Sequence, residues 1–127
     1  MKKLNNILIV SFHLVNLILV SFYLYPGSIL GHIIYDDFTK QPEIVKGYII
    51  SLNHFFIFCF LSTLGILAYR SSNKINILIK YLLSISIILE LIHIVIPQRA
   101  FEVEDILGNI LGTISIIAIY KFKKKYV

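Results

Sequence analysis

Apolar residues run in blocks along this chain rather than alternating with polar ones. Four blocks, at 7–25, 48–69, 75–96 and 106–120, each approach the ~20 mostly apolar residues that a helix needs to cross a bilayer. The fourth is short, and it spans only by gaining a turn at either end or by sitting in a locally thinned bilayer. Polar residues mark the connections: a long one at 26–47, a short basic one from Arg70 to Lys74, and a third around Pro97 to Asp105. The predicted fold class is all-α: a polytopic membrane protein with four transmembrane helices in an antiparallel bundle, one domain over residues 1–127. There is no internal repeat, low-complexity tract or soluble domain.

Composition supports that reading. The apolar fraction is 57% and the mean hydropathy is +0.83, too oily for a soluble domain of this length. Lys2 and Lys3 before an apolar run resemble a signal peptide, but the run is too long for its core and no A-x-A-like site follows. An uncleaved first span is expected. The one cysteine, Cys59, falls mid-span, so it forms no intramolecular disulfide and reads as a small buried hydrophobe.

The net charge of +5 changes the picture through its placement. With four spans, Lys2, Lys3, Arg70, Lys74, Lys80, Lys121, Lys123, Lys124 and Lys125 fall on one side, and only Lys40, Lys46 and Arg99 on the other. Nine against three makes the first side cytoplasmic, with both termini there. Asp36, Asp37, Glu43, Glu102, Glu104 and Asp105 fall on the outer side. Tyr23, Tyr25 and Tyr48 mark the outer interface, Tyr69 and Tyr120 the inner one. The basic C-terminal tail reads as a stop-transfer anchor favouring anionic lipid, not as a nucleic-acid site. In the outer loop, Ile29-Leu30 and Ile33-Ile34-Tyr35 form an amphipathic stretch suited to the membrane surface, and Pro42-Glu43 suits a helical lead-in to the second span.

Candidate chemistry concentrates around the third and fourth spans. Glu90 lies about 10 Å below Pro97 at ~1.5 Å per residue, in the outer half of the membrane. Glu90 and His93 share a helix face, and Pro97 ends or kinks that helix. Asp105 stands at the start of the next helix, where it caps or offsets the dipole, with Asn109 four residues on. The short loop makes these helices antiparallel neighbours, which collects Glu90, His93, Arg99, Asp105 and Asn109 at one level. His54 begins the second span near the same level. An ionisable group in lipid needs a partner or a function, so these six residues form the candidate ligand-binding set. A plain structural role, as interhelical glue and a helix cap, fits Glu90, His93 and Asp105 equally well. Arg99 is a natural donor to phosphate or carboxylate, or pairs with Asp105 or Glu90 to hold the loop. Gly108 and Gly112 form a small-xxx-small face for close helix approach, within the chain or in an oligomer. His13 and His32 look incidental. No metal pattern such as H-E-x-x-H, no cofactor motif and no nucleophile motif is present.

The run Glu90-x-x-His93-x-x-x-Pro97-x-Arg99-x-Phe101-x-x-x-Asp105-x-x-x-Asn109-x-x-Gly112 resembles the signature of the VanZ-like family, in which a Glu is followed by Pro-x-Arg, an Asp and Asn-x-x-Gly. Asn53-His54-Phe55-Phe56, with Gly65 beyond, resembles its earlier helix. His93 stands where the family usually has Gln, which keeps a hydrogen-bonding group. The resemblance covers about residues 48–120. It implies a small integral protein of the bacterial cytoplasmic membrane, acting in envelope homeostasis or low-level teicoplanin-type glycopeptide resistance. The implied partners are membrane lipids and a lipid-linked envelope precursor or glycopeptide.

Four functions compete on these residues. In the first, the outer polar site binds an envelope lipid headgroup or lipid-linked ligand without chemistry. In the second, the chain is a lipid-headgroup hydrolase or transferase, with Glu90 or His93 as base and Arg99 as stabiliser, lacking a nucleophile motif. In the third, it is a small proton-coupled transporter using Glu90. In the fourth, it is a structural subunit in which the polar residues only hold helices together.

Overall fold

The computed structural model describes residues 2–42 and 49–126. The predicted start of the second span at Tyr48, the end of the long loop with Lys46, and the lead-in at Glu43 lie outside the described residues. Among the described residues five helices follow in order: α1 Lys2–Leu24, α2 Ile29–Tyr35, α3 Leu52–Tyr69, α4 Ile75–Ile92 and α5 Val103–Tyr126. Among the described residues α1, α3, α4 and α5 are long and apolar enough to cross a membrane. The protein is an all-helical, polytopic membrane protein.

Its burial pattern has the sign expected with lipid as solvent. Val10, Leu14, Leu17, Phe56, Phe60, Ile77 and Ile88 are exposed, while Ser62, Ser86, Glu90, Asn109 and Thr113 are wholly buried. An apolar exterior around a partly polar interior is costly in water and natural in a bilayer. Between the polar groups lies a core built on Phe12, Phe58, Leu61, Leu82, Leu89 and Ile117.

The four long helices alternate in direction. Residues far apart in sequence meet at both ends: His13 Nε2 lies 2.9 Å from the Tyr69 hydroxyl, and the Tyr81 hydroxyl donates to Asn16 Oδ1 at 2.8 Å. At the opposite end the Ser51 N–H donates to the Glu104 carbonyl, fastening the start of α3 to the start of α5. Helix α3 packs most extensively on α5, because two glycines admit it. A Cβ on Gly108 would stand 2.5 Å from the Ser51 carbonyl oxygen, and one on Gly112 would stand 2.4 Å from that of Phe55. The small-residue face that the sequence also offers to an oligomer is therefore taken up by α3 of the same chain.

Helices α1, α4 and α5 depart from the hydrophobic pattern at their ends, α1 by starting at Lys2 ahead of the block that opens at residue 7. The third apolar block runs to residue 96, yet α4 ends at Ile92. The N–H groups of His93, Ile94 and Val95 bond to carbonyls three residues back, tightening the chain into turns before Pro97. Pro97 offers no N–H to the His93 carbonyl and disfavours helical geometry at Ile96. Helix α5 is longer than its apolar block at both ends, beginning with Glu104 and Asp105 in its first turn and ending in Lys123, Lys124 and Lys125, each sign opposing the helix dipole there.

The long connection contains the short helix α2. The Ser28 hydroxyl accepts from the Gly31 N–H, and Asp36 closes the helix in the left-handed region at φ 52°. Ile33, Ile34 and Tyr35 stay exposed along it. Gly31 is required here, since the Lys40 carbonyl passes where a Cβ would stand.

Candidate functional site

The end of the bundle where α1 and α4 stop and α3 and α5 begin holds a buried polar cluster. Glu90, on the last full turn of α4, is fully buried. Its Oε1 faces His93 Nδ1 at 3.1 Å and accepts the Glu102 N–H at 3.3 Å. His93 Nε2 lies 3.0 Å from the Tyr23 backbone carbonyl, which can only accept, so Nε2 carries a proton and donates.

His54, on the first turn of α3, links the acids. Its Nδ1 lies 4.0 Å from Glu90 Oε2, and its Nε2 lies 3.5 Å from Asp105 Oδ2. Asp105 also takes a hydrogen bond from the Ser51 side chain. Tyr23 sits at the centre. Its hydroxyl donates to Asn109 Oδ1 at 3.0 Å and lies 3.0 Å from His54 Nδ1. Because the phenol has one proton, the second contact is His54 Nδ1–H donating to the Tyr23 oxygen. The ring of Tyr23 stacks on that of His93, centroids 5.4 Å apart and planes at 19°.

Glu90, His93, Asp105, Asn109 and His54 thus come together from α3, α4 and α5. Arg99 takes a different place from the pairing with Asp105 or Glu90 that its sequence position allows. Its Nη2 donates to the Phe22 carbonyl at 2.6 Å and its Nε to the Tyr25 carbonyl at 3.3 Å. The guanidinium therefore caps the C-terminal end of α1, where carbonyls lack helical partners and the dipole favours a cation. Partial burial lowers the Arg99 pKa from its ordinary value, against the pull of Tyr23, Glu90 and Asp105; a guanidinium stays charged regardless.

Tyr23 is the residue that sequence reasoning missed. It reads as an interfacial aromatic, but it is 93% removed from the surface by relative area, at 7% exposure. The available signal was its level: it closes α1 at the depth where His54 and Glu90 lie. His13 pairs with Tyr69 and His32 stacks on Phe38 at 4.1 Å, both away from the cluster.

Beside the cluster lies a cavity of about 100 Å³, lined among others by Tyr23, His54, His93, Arg99 and Ser28. Among the described residues, Glu90 Oε2, Asn109 Nδ2 and the hydroxyls of Ser62 and Thr113 are buried without a hydrogen-bond partner. An unmet carboxylate oxygen in a membrane interior is costly, so the site has capacity for a further ligand. Chemically it offers two carboxyls, two imidazoles, a phenol and an amide at one level, with a cation at its rim. Neither a family model, a curated protein nor a solved structure matches this chain.

Proposed function

We propose that this chain is a VanZ-like protein of the bacterial cytoplasmic membrane, with both termini in the cytoplasm. Its polar end faces the outer leaflet and binds the headgroup of an envelope lipid or lipid-linked envelope precursor. Through that binding it acts in envelope homeostasis or low-level tolerance of teicoplanin-type glycopeptides. The observation that carries this reading is the small cavity where Arg99, His54, His93 and Tyr23 meet. Arg99 uses two of its five N–H donors on α1 carbonyls and supplies positive charge at the cavity rim. A volume of about 100 Å³ suits a phosphate- or carboxylate-sized group. It is well below the ~300–1,000 Å³ of pockets for drug-sized molecules, so the ligand is a headgroup rather than the glycopeptide itself. The orientation rests on the nine-to-three split of basic residues, and the exposed Ile33, Ile34 and Tyr35 of α2 suit the outer membrane surface.

The test compares cells carrying wild type, Glu90→Gln, Arg99→Ala, Asp105→Asn or an empty vector, with membrane abundance followed by blot. Wild type raises teicoplanin tolerance, and the variants lose the effect at equal abundance. Variants that vanish from the membrane would instead assign the cluster to structural glue. Equal abundance with no phenotype in any strain would remove the glycopeptide role and leave headgroup binding to be measured with phospholipid vesicles.

A further inference from the structure

The spacing of acids and histidines along the sequence contains no metal-binding pattern, yet the fold assembles a set of metal-ligating atoms. One ring nitrogen of His54, one carboxylate oxygen of Glu90 and one of Asp105 lie within 4.8 Å of one another. The three residues stand on α3, α4 and α5, so the cluster exists only in the folded bundle. We propose that His54, Glu90 and Asp105 bind a single divalent transition cation of the zinc class, reached through the cavity beside His54.

Three observations carry the assignment. The first is the donor set: an imidazole and two carboxylates suit zinc, manganese or iron rather than calcium, which takes oxygen alone. The second is orientation. Glu90 Oε1 is fixed by His93 and the Glu102 N–H, while Oε2 is fully buried, has no hydrogen-bond partner and lies 4.0 Å from the Nδ1 edge of the His54 ring. A ligand oxygen held by a neighbouring imidazole through its other oxygen is a common arrangement around bound metal. The third is the His54 tautomer. Its Nδ1–H is committed to the Tyr23 hydroxyl oxygen, leaving the Nε2 lone pair facing Asp105 Oδ2 at 3.5 Å. Two lone pairs at that distance attract only when a proton or a metal cation lies between them, so this contact is open to a cation.

Bound zinc with ligands at ~2.0–2.2 Å needs the donors about 3.4 Å apart, so side-chain movements of about 1 Å close the site. Three protein ligands leave a fourth position, and the adjoining cavity has room for water there. A cation would also neutralise two carboxylates that are buried together inside the bundle.

The assignment stands independently of the headgroup proposed above and is read by a separate measurement. Full-length protein in detergent is loaded with Zn(II), desalted and analysed for metal content. Wild type retains about one ion per chain. Asp105→Asn and His54→Gln, with helicity checked by circular dichroism, lose it, and His32→Gln keeps it. Equal retention by folded Asp105→Asn and wild type overturns the site. The wild-type arm decides without any variant: Co(II) bound in place of zinc shows the strong visible absorption of a four- or five-coordinate nitrogen–oxygen site. Folded wild type that binds no Co(II), or shows only the weak spectrum of the hydrated ion, overturns it too.

Discussion

The 3.1 Å contact between His93 Nδ1 and Glu90 Oε1 is a one-proton contact. His93 Nε2 already donates to the Tyr23 carbonyl, so a neutral ring would present a lone pair to the carboxylate. The contact is attractive only when one proton lies between the two residues, either on the ring or on the carboxyl. This pair ties α4 to the end of α1 and to the start of α5. Glu90→Ala leaves the His93 ring, the Glu102 N–H and the shared proton without their partner. It is expected to lower unfolding free energy by about 3 kcal/mol. Glu90→Gln keeps the shape and can still meet one of the two donors, so its loss is about 1 kcal/mol. Unfolding in mixed micelles measures both. Equal losses would show that shape alone, and not the proton, holds the pair.

Tyr23→Phe tests the centre of the cluster. The substitution keeps the stack on His93 but removes the bonds to His54 Nδ1 and Asn109 Oδ1. Asn109 already has a buried, unpaired Nδ2, so Tyr23→Phe leaves its amide with the His54 side chain as its remaining partner. The expected cost is about 1–2 kcal/mol. A double-mutant cycle with Asn109→Leu should give a coupling of about 0.5–1.5 kcal/mol. Additive effects would show that the hydroxyl is not shared between the helices.

Gly112→Ala and Gly65→Ala separate two kinds of close approach. At Gly112 the new methyl meets the Phe55 carbonyl oxygen at 2.4 Å, a backbone atom, so α3 must move as a unit. At Gly65 it meets ring carbons of Phe12 at 2.9 Å and above, and a side chain can turn aside. Gly112→Ala is expected to cost about 2–3 kcal/mol and Gly65→Ala about 1 kcal/mol or less. Thermal unfolding of both variants in one detergent gives the order, and a reversed order would remove α3–α5 contact as the tightest joint.

Arg99→Ala should loosen α1 rather than the acids. The Phe22 and Tyr25 carbonyls lose a charged donor, a loss of about 1.5–3 kcal/mol for bonds of this kind. Amide exchange should accelerate over the last turn of α1, with Arg99→Lys intermediate because an ammonium reaches carbonyls as a point charge without the fork. Unchanged exchange at Phe22 to Tyr25 would show that the cap contributes nothing.

Much of this architecture is legible in the residues because bilayer solvation imposes long apolar runs. The four blocks locate α1, α3, α4 and α5, and the i,i+3 spacing of Glu90 and His93 places them on one face. The amphipathic character of 29–35 is legible too, and Leu30, Ile33, Ile34 and Tyr35 are exposed there, but that this stretch is a helix is not. What is not legible depends on which helix faces which. Tyr23 looks like an interfacial tyrosine until α1 is seen to lean its last turn into the cluster. Arg99 looks like a partner for Asp105 until α1 presents unpaired carbonyls nearer to it. Gly108 and Gly112 show that something approaches closely, but not that it is α3 of the same chain. The convergence of His54, Glu90 and Asp105 is a property of three helices, and no spacing along the chain encodes it.

The loop after α2 provides a pH test outside the membrane. Asp37 Oδ1 accepts both the hydroxyl and the N–H of Thr39. These bonds, the hydroxyl's first, hold the carboxyl below its ordinary 3.8, with Lys40 adding to them and slight desolvation opposing. A carboxyl whose folded pKa is depressed contributes order that is present above its unfolded value and is lost as pH falls through the folded value. The turn at Asp37–Lys40 should therefore hold at neutral pH and loosen only below pH ~3.8. Thr39→Val removes the hydroxyl bond, which should raise the Asp37 pKa toward 3.8 and start the loosening at higher pH. Carboxyl carbon shifts of Asp37 in a pH titration report both values, and identical titration of wild type and Thr39→Val would refute the role of the hydroxyl.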